Sequence, residues 1–388
     1  MLKHYFTVAF RNLWKYKSQT LISVIGLAVG FTCFALATLW IRYETTFDDF
    51  HKNADRIYCV RMPALFDPTA VSRRTTYPLA GYLKATFPEI ANAIPVSTTS
   101  FFPDVFTING VNSYGKINGI DSSFFNFFGV KIIEGSREFM IFGSKKVAIT
   151  QEKARQIFGN ESPIGKVVKI FWEDHTICAV VTGLPKHSNY SFNFLRGLEN
   201  HVQWNRNGME HTLLELSPNI DVEAFKKKLY EHTFVWEKHY HFGKITLIPL
   251  TEIYYKDPDQ QREVKFQHIL IFAVAGLLLI LCTLFNYLTL FISRFNMRQR
   301  EMALRTVYGA SSRSLFTLLS IEFIISLVIA LLFGLFFIQT TFPAFRKISM
   351  IDMALSSIFL ESLIYIGVII FVSLLTFLLV LAIFRRRT

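Results

Sequence analysis

The sequence is poor in charge and in catalytic signatures. Charged residues make up 18% of the 388 positions, whereas 51% are apolar and phenylalanine alone occurs 40 times. A soluble protein of this length would fold as two or three aqueous domains, and this composition argues against one. The sequence contains no Gly-x-Ser-x-Gly, His-Glu-x-x-His or Cys-x-x-Cys motif. We therefore expect no catalytic residue and no bound metal in this chain.

Only four cysteines occur. Cys33 and Cys282 lie in apolar runs, where a thiol is a packing group. Cys59 and Cys178 fall in the polar middle of the chain, and outside the cytoplasm they could form a disulfide. Their wide separation in sequence says nothing about the distance between them, so the pairing stays open at this point.

The net charge is +12. The basic residues flank apolar runs and form no stacking platform with aromatic residues. Anchoring against anionic lipid therefore explains the charge better than binding to nucleic acid.

Four predominantly apolar stretches are each long enough to cross a bilayer. Residues 269–292 would span about 36 Å as a helix at about 1.5 Å per residue, against a hydrocarbon core of about 30 Å. The other three are residues 20–41, 315–338 and 362–384. Loops rich in Lys and Arg stay in the cytoplasm, and residues 294–313 carry five arginines against one acid. Both termini are therefore predicted to be cytoplasmic.

These observations predict an α-helical membrane protein with four transmembrane helices. A mixed α+β extracytoplasmic domain is inserted between the first two helices. The predicted boundaries are an interfacial amphipathic helix at 1–18, the first transmembrane helix and stalk at 19–46, the extracytoplasmic domain at 47–257, the second stalk and helix at 258–293, a cytoplasmic coupling turn at 294–313, the third helix at 314–339, a short outer loop at 340–355, the fourth helix at 356–384 and a tail at 385–388.

Short strands and helices alternate within the aqueous domain. A helix at residues 221–234 is predicted to be capped by Asp221, and a helical turn at 122–128 by Ser122. A hairpin is predicted to turn at Glu173 and Asp174. The mixed pattern suggests two subdomains.

Two polar side chains fall inside predicted spans. Glu322 lies in the third span, where a charge at a helix centre costs about 2.5–3.5 kcal/mol. A hydrogen bond to a neighbouring helix explains it better than a proton relay. Asn286, beside Tyr287 in the second span, is expected to bond between helices rather than hold a ligand.

Two further patterns suggest ligand chemistry only weakly. His239 and His241, with His232 upstream, match no common metal spacing. Residues 159–166, GNESPIGK, resemble a phosphate loop but have one residue too many between the glycines, and Val167 stands where Ser or Thr would hold Mg²⁺. We expect no cofactor in this chain.

Residues 300–311, REMALRTVYGAS, form the centre of the coupling turn. As a helix this segment would direct Met302, Leu304, Val307 and Tyr308 toward the bilayer or a partner. Arg300, Glu301 and Arg305 would stay in water, and Gly309 would end the helix. On composition alone, an ordinary basic turn that fixes topology is the better explanation of the segment.

Several stretches in order resemble the MacB/FtsX-type permeases of ABC transporters. They cover nearly the whole chain: MLKHYFTVAFRNLWKYKSQTLISVIGLAVG, TTFDDFHKNADRIYCV, FFNFFGVKIIEG, VAITQEKARQIFGNESPIGKVV, GLPKHSNYSFNFL, LTEIYYKD and LFNYLTLFISRFNMRQREMALRTVYGAS. Their order makes the resemblance more specific than any single stretch.

The resemblance implies a periplasmic domain with a porter-like part and an inserted smaller lobe. It implies a second permease chain, identical or sister, and a separate cytosolic ABC ATPase that holds ATP and Mg²⁺. It also implies that one segment of the turn docks on the ATPase, namely Arg300, Glu301, Ala303, Arg305, Gly309 and Ala310.

The function implied is mechanotransmission in a bacterial inner membrane. The chain would couple ATP hydrolysis by the partner to movement of the periplasmic domain, for export or extraction of an amphiphilic cargo such as a drug, peptide or lipoprotein. An outer-membrane or periplasmic partner fits this interpretation. Two alternatives stay open: a regulator of a periplasmic cell-wall hydrolase without cargo, and a membrane-anchored sensor or scaffold without an ATPase.

Overall fold

The computed structural model divides the chain into two compact units. The membrane unit comprises Met1–Glu44 and Phe266–Thr388, and the aqueous unit comprises Thr45–Lys265. Each unit is described by itself. The structure describes residues 2–63, 71–98, 104–108, 110–170, 172–198, 210–232, 235–236, 240–241, 244–256, 266–297, 304, 307–308, 312–349, 351, 363–364, 367–368, 370–375 and 377.

Nine α-helices, three short 3-10 helices (Ala54–Arg56, Glu138–Met140 and Leu250–Glu252) and sixteen strands occur in these described ranges. The helices are α1 (Leu2–Lys15), α2 (Lys17–Thr45), α3 (Tyr77–Thr86), α4 (Ser123–Phe128), α5 (Gln151–Phe158), α6 (Val222–Glu231), α7 (Ile253–Lys256), α8 (Phe266–Met297) and α9 (Ser312–Ser349). The strands are β1 (Ile57–Pro63), β2 (Val71–Ser72), β3 (Arg74–Thr75), β4 (Ile90–Thr98), β5 (Asp104–Ile108), β6 (Val111–Gly115), β7 (Ile117–Ile120), β8 (Ile132–Gly135), β9 (Lys146–Thr150), β10 (Val167–Ile170), β11 (Glu173–Val181), β12 (Phe194–Gly197), β13 (Glu210–Leu216), β14 (Val235–Trp236), β15 (Tyr240–His241) and β16 (Thr246–Pro249).

Among the described residues, three helices are long and apolar enough to cross a bilayer: Lys17–Thr45, Phe266–Leu290 and Thr317–Ser349. Most of the fourth predicted span, residues 356–384, lies outside the described residues. One residue of that stretch, Phe377, is buried and stacks on Phe323 of α9 with ring centroids 3.9 Å apart. Phe377 therefore packs on the third helix.

The α2 and α8 helices pack closely because small residues face each other. A Cβ at Gly30 would lie 2.6 Å from Thr283 Oγ1, so only glycine fits at this approach. Near the other end of the pair, Trp40 lies against Phe272 with ring centroids 4.7 Å apart. Small residues allow helix backbones to approach in a membrane, where van der Waals packing drives association.

The α9 helix is longer than predicted. It runs to Ser349 through Pro343, whereas we predicted residues 340–355 as a loop. The loop prediction is wrong for residues 340–349, because Phe342 is buried against Leu39 and so favours continuation of the helix over a turn. A charged side chain near the end of α9 has a hydrogen-bond acceptor close by in sequence, since Arg346 Nε donates to the carbonyl of Ile351 at 3.2 Å.

One continuous sheet runs through the aqueous unit. Its strand order is β16-β1-β13-β4-β7-β12-β9-β11-β10-β5-β6, with β2, β3 and β8 paired to β1, β13 and β11. The described pairs are antiparallel except β7 with β12 and β9 with β11. A separate hairpin joins β14 and β15. The sheet does not break between lobes, so the division into two subdomains stays a prediction.

Helices cover the sheet and bury three apolar clusters. α3 and α6 bring Leu83 and Phe225 onto one end of the sheet, α4 brings Phe124 onto its middle, and α5 brings Phe158 onto the other end. Each large side chain buried in this way contributes about 1.5–3 kcal/mol. All three clusters lie inside the aqueous unit, so this unit contains its own core.

Two local predictions need correction. Ser122 makes no capping hydrogen bond to α4; instead the Asp121 carboxylate accepts from the Ser123 amide at 2.9 Å. Glu173 lies in β11 and Asp174 follows it there, and the hairpin turns at the preceding Trp172, which has φ +74°. Asp221 caps α6 as predicted and accepts from two backbone amides at 3.0 Å.

Candidate functional site

The predicted intramembrane carboxylate belongs to a contact between α1 and α9. Asn12 Nδ2 donates to Glu322 Oε1 at 2.7 Å, and both side chains are buried. Around this bond, Ala9 of α1 packs on Leu318 and Ile321. Asn12 was not singled out in the sequence. Its place on the apolar face of an amphipathic helix was the available signal.

Asn286 lies elsewhere in the membrane unit. Its side chain is exposed, and its Nδ2 would lie 3.6 Å from a Cβ placed on Gly26 of α2. The neighbouring Tyr287 is buried and meets Phe323 edge to face at 5.2 Å. Asn286 and Glu322 therefore have different surroundings, and the α8–α9 contact at this level is aromatic.

The predicted ATPase-coupling residues lie outside the described part of the chain. These are Arg300, Glu301, Ala303, Arg305, Gly309 and Ala310. Three neighbours are described: Leu304, Val307 and Tyr308 are 59%, 82% and 87% exposed. The Tyr308 amide donates to the Leu304 carbonyl at 3.0 Å, as in one turn of helix. Their spacing of i, i+3 and i+4 places three apolar side chains on one exposed face.

The aqueous unit brings its two ends together. We define the leading connector as residues 45–56 and the trailing connector as residues 250–256. Phe47 of the leading connector stacks on Tyr254 of the trailing connector, with ring centroids 3.5 Å apart and planes 5° from parallel. His187 covers Phe47 from a third segment, at a centroid distance of 4.0 Å.

The buried carboxylate of Asp48 ties the leading connector to the loop at residues 187–190. The Asp48 amide donates to the His187 carbonyl at 3.2 Å. Asp48 in turn accepts from the Ser188 hydroxyl and from both the backbone and side-chain nitrogens of Asn189, at 3.1 Å and 2.7 Å. Burial raises the pKa of the Asp48 carboxyl, and these hydrogen bonds pull it in the opposite direction.

The same loop reaches the core through Tyr190. Its hydroxyl lies 3.8 Å from the Cys59 sulfur and 3.4 Å from His211 Nδ1. Cys59 and Cys178 are both buried, and both are free thiols in this structure. A chain of contacts therefore runs from Asp48 to strands β1 and β13.

The profile of the MacB-like periplasmic core domain family matches residues 20–231. This match covers more than half of the chain. The chain belongs to the MacB-like permease family. The search of curated proteins gives no match.

Three solved structures resemble this MacB-family chain at low identity. A domain of a protein described as a permease, from Porphyromonas gingivalis, is 19% identical with a TM-score of 0.41, covering 51% of this chain and 91% of that one. The periplasmic region of MacB from Actinobacillus actinomycetemcomitans is 16% identical with a TM-score of 0.37, covering 52% and 91%. The extracellular domain of the ABC-type transporter YknZ from Gram-positive bacteria is 13% identical with a TM-score of 0.37, covering 50% and 99%. Membership of the family rests on the profile match.

The described residues of this MacB-family chain include no group of three or more His, Cys, Asp or Glu side chains placed to hold a metal ion. His239 lies outside the described residues. The GNESPIGK segment is a structural loop: Lys166 pairs with Glu161, and the Gly165 amide donates to Ile177 of β11 at 2.8 Å. Its lysine and its backbone are thus used within the fold.

We expect the aqueous unit to lose stability in mild acid. Burial lowers the pKa of His211 well below its usual value, lowers that of His51 to about 4 and lowers that of His187. Between pH 6.5 and 5 the unfolded chain therefore binds more protons than the folded one. The free energy of unfolding decreases as the pH is lowered through this range. Asp48, whose pKa is raised by burial, acts in the opposite sense.

Urea unfolding of the fragment 45–265 at pH 7.5 and pH 5.5 measures this effect. We expect a loss of about 1–3 kcal/mol, since one pKa unit corresponds to about 1.4 kcal/mol. The variant His211→Gln should have a shallower pH slope, because the amide does not titrate. Equal stability at both pH values would contradict the prediction.

Proposed function

We propose that this chain is the permease subunit of a MacB/FtsX-type ABC transporter that transmits force. Closure of a separate cytosolic ATPase would move α8 and α9, and the connectors would pass this movement to the periplasmic domain. The single observation that carries the proposal is the Phe47–Tyr254 stack at 3.5 Å. It makes the two connectors one mechanical element at the point where they join the domain.

The physical basis is a difference in affinity between two states. A ligand shifts a conformational equilibrium only as far as it binds one state better than the other. ATP binding favours closed ATPase subunits, so a turn docked on them would favour one arrangement of α8 and α9. This chain would need no nucleotide site of its own.

The exposed apolar face of the coupling turn supports an ATPase partner. Leu304, Val307 and Tyr308 are exposed in a segment whose sequence is rich in arginine. This pattern fits a groove on a protein partner better than water. A second permease chain is supported by α8, several of whose large apolar side chains are more than half exposed: Leu270, Ile271, Phe272, Leu277, Leu278, Leu281 and Phe285. Lipid would cover whatever part of this surface a second chain does not.

The predicted setting is the bacterial inner membrane, with both termini and the coupling turn in the cytoplasm. The proposed cargo is an amphiphile handled in the periplasm. Co-purification with the periplasmic domain separates this proposal from hydrolase regulation: an outer-membrane efflux partner supports transport, and a cell-wall hydrolase supports regulation.

Reversing the charges of Glu301 and Arg305 tests the docking role. We expect the double variant Glu301→Arg with Arg305→Glu to insert normally but to lose stimulation of the co-purified ATPase, by about fivefold or more. ATP turnover of the ATPase, with and without the permease in proteoliposomes, measures the effect.

The matched control is Arg346→Glu, on the far end of α9. It should leave stimulation unchanged. If the double variant stimulates ATP turnover as well as the wild type, these two residues do not dock on the ATPase.

A further inference from the structure

The N-terminal helices contact the two helices that flank the coupling turn. α8 ends at Met297 and α9 begins at Ser312. Asn12 of α1 donates to Glu322 in the first part of α9 at 2.7 Å. Gln19 of α2 lies on the other flank, where its Nε2 is 3.9 Å from the Met297 sulfur. One short stretch of chain therefore contacts both sides of residues 298–311.

We define the elbow between α1 and α2 as residues 12–20. It is nearly continuous helix. The Tyr16 amide donates to the Asn12 carbonyl at 3.2 Å, and the Thr20 amide donates to the Tyr16 carbonyl at 3.0 Å. The Thr20 hydroxyl also donates to the Leu13 carbonyl at 3.1 Å. Because helical hydrogen bonding passes through the elbow, Asn12 and Gln19 are held about 10 Å apart along it.

The Asn12–Glu322 bond is the stronger of the two contacts. Both side chains are more than 90% buried, at 7% and 8% exposure. A hydrogen bond to a carboxylate in such surroundings is stronger than one between neutral groups, and an unpaired buried carboxylate is costly. The apolar packing of Ala9 on Leu318 and Ile321 holds the two helices in register around it.

We infer that the α1–α2 elbow is a positioning clamp for the coupling turn, with Asn12 and Glu322 as its main bond. The clamp fixes the separation of the α8 and α9 ends, so the turn between them presents one pre-organised surface to its partner. Pre-organisation raises affinity because less ordering is needed on binding. The inference rests on the proposed function, and it assigns Glu322 a positioning role rather than proton transfer.

Three variants of the full chain, reconstituted with the co-purified ATPase, test the clamp. Glu322→Leu removes the acceptor, Glu322→Gln keeps an oxygen that accepts from Asn12, and Ser326→Ala is the control. The Ser326 hydroxyl donates to the Glu322 backbone carbonyl within α9, at 2.9 Å. The readouts are amide hydrogen exchange of residues 298–311 and stimulated ATP turnover.

We expect Glu322→Leu to speed exchange in residues 298–311 by about tenfold and to lower stimulation by about fivefold. Glu322→Gln and Ser326→Ala should stay within about twofold of the wild type. Asn12→Leu removes the hydrogen-bond donor, and Asn12 lies outside the predicted membrane spans. This variant should reproduce both changes, so the clamp can be tested even if Glu322→Leu fails to insert into the membrane.

Wild-type exchange in Glu322→Leu and Asn12→Leu would overturn the clamp. Faster exchange with unchanged stimulation would overturn its role in coupling. A wild-type chain that stimulates no co-purified ATPase would instead overturn the proposed function, and the exchange measurement would then decide the clamp by itself.

Discussion

Gly135→Ala is expected to prevent the aqueous unit from folding stably. Gly135 ends β8 with φ +95°, and a Cβ there would lie 2.1 Å from the Cys178 carbonyl oxygen and 2.8 Å from Ala179 Cα. Both atoms belong to the backbone of β11, which is held by β8, β9 and β10 and cannot move aside. The left-handed conformation costs about 1–2 kcal/mol, and with the clash we expect a loss of about 4 kcal/mol or more.

Gly129→Ala is the matched control for this clash. Gly129 follows α4 with φ +67°, and a Cβ there meets no atom within 4 Å. Only the backbone conformation is then strained, so we expect a loss of about 1 kcal/mol. Urea unfolding of the fragment 45–265, followed by circular dichroism, compares the two. Similar losses in both variants would mean that the close approach at Gly135 is relieved by movement of β11.

Asp48→Ala is expected to lower the free energy of unfolding of the same fragment by about 3–4 kcal/mol. The carboxylate accepts three hydrogen bonds from Ser188 and Asn189 in a site closed to solvent. Each buried donor left without an acceptor costs about 1–3 kcal/mol. Asp48 also has φ +61°, which aspartate tolerates better than alanine.

Asp48→Asn separates these contributions. Asparagine keeps one acceptor oxygen and also tolerates the left-handed conformation, so we expect a loss of about 1 kcal/mol. Asp48→Ala should also increase the amide hydrogen-exchange rates of the leading connector, residues 45–56, more than Asp48→Asn does. This exchange should occur through local opening that does not require global unfolding. If both variants unfold at the same urea concentration as the wild type, Asp48 does not hold the connector.

Much of the architecture could be predicted from apolar runs and capping residues. Runs such as residues 269–292 indicate membrane helices because a bilayer tolerates few charges, and Asp221 marks the start of α6 because its side chain accepts backbone amides. The sequence pattern at residues 210–216 does not mark β13 as a strand, although it pairs with β1, β3 and β4. Local pattern does not reveal how many neighbours a strand will have.

The candidate site was harder to predict. Glu322 stood out because a charge in an apolar run is costly, but its partner Asn12 lies more than 300 residues away in sequence. Asp48 looked like one of several acids near the start of the aqueous domain, and only the tertiary fold buries it beside Ser188 and Asn189. Such bonds depend on long-range packing, which one sequence does not encode in a readable pattern.

The two connectors lead into neighbouring strands at one end of the sheet. The β1 strand begins where β16 finishes, with Tyr58 opposite Pro249. In this antiparallel pair, separation of the connectors would break the ladder one hydrogen bond at a time. A common pull would instead carry β1 and β16 along together and load the next ladder, between β1 and β13, in shear. The Phe47–Tyr254 stack joins the two connectors outside this ladder. The stack therefore resists separation of the two connectors, which is the direction in which the ladder is weak. A common pull is then carried by hydrogen bonds that are loaded together.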